Sequence, residues 1–192
     1  MSPQSAGRPR NPALDAQILE AAERQIRELG YTGMSIESVA RAAGTTVPSL
    51  RRRYRDKSKL AVAVIESMRV VPLPEDEGTA RERALAGLEN FRRNLARAHS
   101  MSLLGTMLSE EERQPQLIAR FRERLVTPRR AMLAAAIDAG IAEGELGPVT
   151  DIEVLVNMLI GSFYGVYVAR GRIPKDWPER VLAQCWPAPS SR

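Results

Sequence analysis

The chain has few of the residues from which metal centres, disulfide frameworks and β-sheets are built. Its 192 residues include one cysteine, Cys185, and one histidine, His99. A single cysteine cannot form an intrachain disulfide, and one thiolate with one imidazole is too little for a structural zinc site. Aromatic residues make up 5% of the chain, and no run alternates apolar with polar residues. These shortages predict an all-α protein with no metal and no cofactor.

Sequence motifs of the common enzyme classes are also missing. There is no HExxH, GxSxG or phosphate-binding loop, and the carboxylate runs at 75–77 and 110–112 have the pattern of solvated charges. An enzyme is therefore disfavoured. The most apolar stretch, residues 154–169, contains Asn157 and falls short of the about 20 apolar residues that a spanning helix needs. We therefore expect a cytoplasmic protein that does not associate with a membrane.

Positive charge is concentrated in the first third of the chain. Residues 1–70 hold 12 Lys and Arg against 7 Asp and Glu, whereas residues 71–192 hold 16 of each. Between Arg41 and Lys59 there are seven basic residues and one acid, Asp56. Such a local excess is typical of a protein that binds a polyanion, although a solvated basic surface has the same composition.

Helix signals divide the chain into an N-terminal and a C-terminal domain. The apolar spacing predicts a first helix over 12–29, a second starting at Ser35 and ending at Gly44, and a third capped by Thr45 or Thr46. Two prolines and an acidic cluster mark a boundary after residue 70. We predict a basic arm (1–11), a helix-turn-helix domain (12–70), a linker (71–78), a larger helical domain (79–187) and a tail (188–192). Pro115 and Pro128 are expected to begin separate helices.

The third helix is predicted to have one buried and one exposed side. At about 100° per residue, Val47, Leu50 and Tyr54 fall on one side and Arg52 on the opposite one. Two short helices joined by a turn, the second displaying cations, are typical of a helix-turn-helix that reads the major groove. Arg52 is the predicted base contact, because a guanidinium can bond guanine O6 and N7 together. Arg51, Arg53 and Lys57 are the predicted phosphate contacts.

Residues 18–60 resemble the DNA-binding domain of TetR-type (tetracycline-repressor-like) regulators. The residues that carry the resemblance are Ala21-Ala22, Gly30-Tyr31, Ser35-Ile36, Val39-Ala40, Ala43-Gly44, Leu50, Tyr54, Lys57 and Leu60. The resemblance implies an all-helical homodimer with a C-terminal domain for a ligand and for the partner chain. Three positions depart from the family pattern, which often has glycine, tyrosine and histidine where this chain has Pro48, Arg51 and Arg53.

The predicted DNA-binding residues combine the helical pattern with this resemblance. Arg8 and Arg10 of the arm are candidates for the minor groove, because related proteins can send basic residues there, and a disordered terminus is the alternative. The full predicted set comprises Ser35, Thr45, Thr46, Val47, Pro48, Ser49, Arg51, Arg52, Arg53, Tyr54, Lys57, Arg8 and Arg10.

The segment 151–170 predicts a dimer. Its apolar residues occupy nearly every angle of a helix, so both its own domain and a second chain are needed to cover it. The predicted interface comprises Leu155, Leu159, Gly161, Ser162, Gly165, Val166, Trp177, Val181 and Leu182. A two-fold dimer would set two recognition helices one turn of DNA apart, and so read a palindromic operator.

A pocket for a small, largely apolar effector is predicted among the C-terminal helices. Its candidate lining comprises Phe91, Asn94, Leu95, Leu104, Met107, Leu108, Phe121, Met132, Asn157, Phe163, Tyr164 and Tyr167, with His99 and Ser162 as further polar contacts. Arg129 and Arg130 are expected to be surface charges. The sequence thus predicts a repressor released from DNA by an effector. The alternative is a dimeric small-molecule-binding or interaction module that recognises no specific operator.

Overall fold

A computed structural model describes residues 11–68, 78–96, 100–148 and 151–186, and these ranges are helical with no strand. The all-α class is therefore confirmed. The helices are α1 (Pro12–Gly33), α2 (Ile36–Ala42), α3 (Val47–Arg53), α4 (Lys57–Ser67), α5 (Ala80–Leu95), α6 (Ser100–Ser109), α7 (Pro115–Phe121), α8 (Thr127–Ala142), α9 (Ile152–Arg170) and α10 (Trp177–Leu182). Arg8, Arg10, His99, the tail and all of the linker except Gly78 lie outside the described residues.

The chain divides into two compact units. The first comprises residues up to 67 together with 105–120, and the second comprises 68–104 and 121–192. The linker predicted at 71–78 would assign 105–120 to the C-terminal domain, whereas the structure groups this segment with the N-terminal helices. Helix α6 therefore begins in the second unit and ends in the first.

Local signals fix the ends of the N-terminal helices. The side chain of Asn11 accepts the Ala13 N–H at 3.1 Å, and Pro12 occupies the first turn of α1. Gly30 interrupts α1 with φ 73° and ψ 173°, a conformation almost restricted to glycine. Ser35 caps α2 by accepting the Ser38 N–H at 3.1 Å. Thr46 caps α3 by accepting the Ser49 N–H at 3.3 Å.

The second unit is organised around an aromatic core. Phe163 is completely buried on α9 and packs edge-on against Phe91 and Trp177, with ring centroids 5.1 and 5.3 Å apart. Gly140 of α8 lies against the indole of Trp186, so closely that a side chain there would collide with the ring. This packing holds α5, α8, α9 and α10 around one core.

Pro128 does not break the helix that the sequence pattern ends there. Residues 115–142 form one helical run in which Arg122–Val126 makes a π-helical turn. The Thr127 N–H bonds to the carbonyl of Arg122, five residues back. Proline has no N–H and its ring clashes with the carbonyl four residues earlier. A widened turn accommodates both effects, and such turns are frequent at functional sites.

Candidate nucleic-acid interface and cavity

Helix α3 has the two sides that its sequence predicts. Leu50 is 0% exposed, and Val47 is half-buried beside it. Pro48, Arg51 and Arg52 are exposed. The buried leucine fixes the rotation of a seven-residue helix that has too few hydrogen bonds to be stable alone. We call Thr46, Pro48, Arg51 and Arg52, all exposed, the recognition surface.

Arg52 is the cation of α3 with the greatest freedom to bind a ligand. Within the described part of the chain it has neither a hydrogen bond nor an ion pair. Arg51 lies 3.5 Å from a carboxylate oxygen of Glu37, but both side chains are more than half exposed. Such a solvated pair is worth little and can be exchanged for a phosphate. Both side chains are thus available to a polyanion.

Arg53 differs from the two arginines before it, because its guanidinium is already occupied. Its Nε donates to Asp15 of α1 at 2.7 Å, and Nη1 donates to the hydroxyl and carbonyl of Ser49 at 2.9 and 3.2 Å. The Arg53 side chain is 18% exposed. These bonds connect α3 to α1. The phosphate contact predicted for Arg53 stays a prediction, and in this structure its guanidinium is bonded to Asp15 and Ser49.

The small polar residues of the predicted set mainly define helix ends. The hydroxyls of Ser35 and Thr46 accept backbone N–H groups, and the Ser49 hydroxyl accepts from Arg53. Thr45 lies in the turn between α2 and α3 and is half-buried. Tyr54 is the half-buried residue at the C-terminal end of α3. Most of these side chains therefore shape the motif, and Thr46 also borders its exposed surface.

Lys57 is partly occupied as well. Its ammonium donates to the Thr32 carbonyl at 3.0 Å and lies 4.5 Å from the centre of the Tyr31 ring. Burial lowers the pKa of Lys57, and the charge of Glu110 partly offsets this lowering. The carboxylate of Asp56 accepts the Lys59 N–H at 2.8 Å, so a phosphate would compete for the start of α4. An ammonium has three donors, which leaves Lys57 capacity for one further contact.

The second unit contains a cavity of about 290 Å³ between α5, α6, the π-helical turn, α8 and α9. The predicted residues that line it are Phe91, Leu95, Leu104, Phe121, Asn157 and Tyr164. The prediction missed Leu125, Val126, Arg129, Arg130, Ile160 and Gly161. Leu125 and Val126 belong to the π-helical turn, and no sequence period indicates where such a turn directs its side chains.

The other predicted pocket residues lie elsewhere. Met107 is completely buried in the first unit, and Leu108 is exposed. Asn94 does not line the cavity, and its side chain donates a hydrogen bond to Asn90 on the same helix. Met132 is half-buried on α8 away from the lining. Phe163 and Tyr167 line a second cavity of the same unit, of about 360 Å³.

Arg129 is not the surface charge that the sequence suggests. Its Nε is buried, and none of the described residues forms a hydrogen bond with it. Burial lowers the pKa of Arg129, and the charge of Tyr164 opposes the change. Burial likewise raises the pKa of Tyr164, against the effect of Arg129. The neighbouring Arg130 donates from Nη1 to Asn157 Oδ1 at 2.7 Å.

Helix α9 leaves apolar surface uncovered. It is long and apolar enough to cross a membrane, and Val156, Leu159 and Phe163 are its fully buried residues. Val154, Met158 and Val168 are 50%, 66% and 85% exposed, and with Gly161 and Gly165 they form one stripe at helical spacing. Beside this stripe, Ser162, Gly165 and Val166 line an open groove with Val181 of α10.

The predicted dimer residues divide between this surface and the interior. Leu159, Trp177 and Leu182 are at most 4% exposed and belong to the core of the protomer. Leu155 is half-buried against the same core. Gly161, Ser162, Gly165, Val166 and Val181 do reach the surface or its groove. The face available to a second chain is therefore the stripe of α9 and the adjoining groove.

Comparison with known families covers both units. Residues 18–64 match the family described as bacterial regulatory proteins, tetR family. Residues 74–185, more than half of the chain, match the family described as tetracyclin repressor-like, C-terminal domain. The first match contains α2 and α3 with the recognition surface, and the second contains the cavity and α9.

Individual relatives agree with these matches. An uncharacterized HTH-type transcriptional regulator of Mycobacterium bovis is 26% identical over 94% of this chain and 89% of its own length. A TetR transcription regulator from Haloarcula marismortui has a TM-score of 0.70 at 20% identity, covering 91% of this chain and 95% of its own. FadR from Bacillus subtilis, solved with stearoyl-CoA, has a TM-score of 0.68 at 18% identity, covering 91% and 100%. The solved structures establish a shared fold.

Proposed function

Because the chain belongs to the TetR family of transcriptional regulators, we propose that it is a homodimeric repressor that binds a palindromic operator and is released by a small effector. The observation that carries the proposal is the recognition surface of α3. Leu50 is buried, so Arg51 and Arg52 are directed outward. Arg52 is the proposed base contact, and Arg51 the proposed phosphate contact.

A second copy of the chain would complete the DNA-binding unit. One seven-residue helix reads only a few base pairs, and two copies related by a two-fold axis read two half-sites about 34–36 Å apart. The stripe of α9 supplies an apolar surface for this association. In such a dimer the second chain would cover the exposed apolar residues of α9, so the helix would need no membrane to cover it. This supports a cytoplasmic protein.

The effector would act by selecting one conformation of the dimer. Helix α6 contributes Leu104 to the cavity and ends in the first unit, where Glu110 accepts a hydrogen bond from Thr32 at 3.1 Å. A ligand that displaces α6 would change the conformation favoured for the DNA-binding unit. The dimer would then populate a conformation in which the distance between its two α3 helices no longer fits DNA, and the DNA-bound state would be depleted.

Selection of genomic DNA fragments bound by the purified protein tests this proposal. We expect enrichment of a dyad-symmetric sequence with half-sites one helical turn apart, and binding to it that survives an excess of random DNA. Uniform retention of all fragments would contradict specific recognition and would favour the alternative, a small-molecule-binding module without an operator.

A further inference from the structure

The cavity of the second unit holds a cation that the described protein groups leave without a partner. Arg129 lines this cavity, and its buried Nε makes no hydrogen bond with any residue that the structure describes. Burial raises the pKa of the neighbouring Tyr164, so its phenol keeps its proton at neutral pH and brings no charge to pair with Arg129. Burying part of a guanidinium without a partner costs folding free energy. The Nε itself lies beneath the cavity surface, so an anion in the cavity would bond to the terminal nitrogens of the guanidinium, for which the described residues offer no hydrogen bond either.

The adjacent arginine provides a comparison within the same cavity. Arg130 donates to Asn157 at 2.7 Å, and its Nη2 lies 3.7 Å from a carboxylate oxygen of Glu153. Its charge is therefore partnered by Asn157 and Glu153, whereas Arg129 has no hydrogen bond or ion pair within the described ranges. The rest of the wall is mostly apolar, with rings and aliphatic chains such as Phe91, Phe121 and Leu125. The cavity thus combines a cation that can bind an anion with a mostly apolar lining that can cover an apolar group.

We propose that the effector is a small organic anion with a carboxylate head and an apolar body, and that Arg129 binds the carboxylate. This inference rests on the proposed effector function and gives a polar group to the apolar effector predicted from the sequence. The planar guanidinium matches a carboxylate with two parallel hydrogen bonds. The hydroxyl of Tyr164, which also lines the cavity, can donate another hydrogen bond.

The size of the cavity limits the body of the ligand. A cavity of about 290 Å³ is at the small end of ligand pockets, which run from about 300 to about 1,000 Å³. A short straight-chain carboxylate such as octanoate, which has eight carbons, is therefore a suitable probe. Octanoate and 1-octanol, which share the chain and differ in the head group, are therefore the probes.

Calorimetric titration of the full-length protein without DNA tests the inference. We expect octanoate to bind and to raise the melting temperature, and 1-octanol to bind at least about 10-fold more weakly, as expected for loss of a charged hydrogen bond. Equal affinity for the two probes, or no binding of any straight-chain carboxylate from six to twelve carbons, would overturn the inference.

Arg129→Met and Arg129→Gln assign the interaction to this side chain. Both remove the unpartnered charge, so the free variants should melt at the wild-type temperature or above it, and octanoate affinity should fall about 10- to 100-fold. Arg93→Met is the matched control, because the Arg93 side chain is 65% exposed and outside the cavity. Unchanged octanoate affinity in both Arg129 variants would contradict the inference.

DNA binding measured with and without octanoate separates this inference from the proposed function. Octanoate binding that lowers operator affinity agrees with both. Octanoate binding through Arg129 with unchanged operator affinity supports the anion site and contradicts release by this effector. Specific operator binding by a protein that takes no carboxylate contradicts the anion site alone.

Discussion

Single residues of α3 either hold the helix in place or remain available to a ligand. The sequence pattern predicted that Leu50 is buried and Arg52 exposed, because a helical period determines which side a residue occupies. The same pattern could not predict that the Arg53 side chain is bonded to another helix while the Arg52 side chain is exposed. The partner of Arg53 is Asp15, 38 positions earlier, and a local period contains no information about a contact so distant along the chain.

Gly44 offers a test of the turn between α2 and α3 at this scale. Its φ is 62°, and a β-carbon added there would meet nothing within 4 Å. Gly44→Ala should therefore act through backbone conformation alone and lower the free energy of unfolding by about 1 kcal/mol. Gly44→Asn should lower it less, because asparagine tolerates this conformation better. Urea denaturation measures both, and an alanine variant as stable as wild type would contradict the assigned turn.

At the scale of helices, the sequence predicted the capped ends better than the continuity. Ser35 and Thr46 cap α2 and α3, as their residue types indicate. The first helix was predicted to end at Leu29, but α1 resumes after the break at Gly30 and ends at Gly33. Pro128 was predicted to begin a new helix, but the π-helical turn before it keeps the run continuous. That turn contributes Leu125 and Val126 to the cavity. Half of the lining was missed because turn geometry and packing, rather than helical spacing, decide it.

The ion pair between α1 and α3 gives a prediction at the same scale. Asp15 and Arg53 are 2.7 Å apart and at most 29% exposed, so each stabilises the orientation of α3. We expect a double-mutant cycle with Asp15→Asn and Arg53→Gln to give a coupling of about 1 kcal/mol in unfolding free energy.

Asp15→Asn should also weaken operator binding, because it releases Arg53 and so loosens the orientation of α3. This is expected even though Asp15 itself would not contact the DNA and the substitution removes a negative charge. Purely electrostatic reasoning predicts the opposite sign, tighter binding, since a carboxylate near the phosphates has been removed. Anisotropy titration of labelled operator distinguishes the two. Zero coupling together with tighter binding would show that the pair does not position α3.

At the scale of the whole molecule, the sequence predicted that α9 needs a second chain to cover it. In the structure, the apolar surface that a second chain could cover is made of other residues than those predicted. Leu159 and Trp177 complete the interior of the protomer, while Val154, Met158 and Val168 remain exposed. Composition reveals that a helix is apolar on all sides, but only the packed coordinates decide which of those sides its own domain covers.

Gly165 tests this surface without disturbing the protomer. A side chain at Gly165 would meet nothing within 4 Å in its own chain, so Gly165→Ala should fold at least as well as wild type. Gly165→Arg adds bulk and charge that the protomer tolerates and a closely packed partner does not. We expect sedimentation to show monomers for Gly165→Arg and dimers for Gly165→Ala. A dimeric arginine variant would locate the interface elsewhere.

The most direct test of the account is the affinity of Arg52→Ala for the selected operator and for random DNA at one fixed salt concentration. If Arg52 reads a base edge, the variant should lose about 1–3 kcal/mol on the operator and tolerate substitution at one base position. On random DNA its loss should be distinctly smaller, since only charge is removed there. Equal losses on the two DNAs would contradict the account, because they would mean that Arg52 contacts the backbone and that α3 reads no sequence through it.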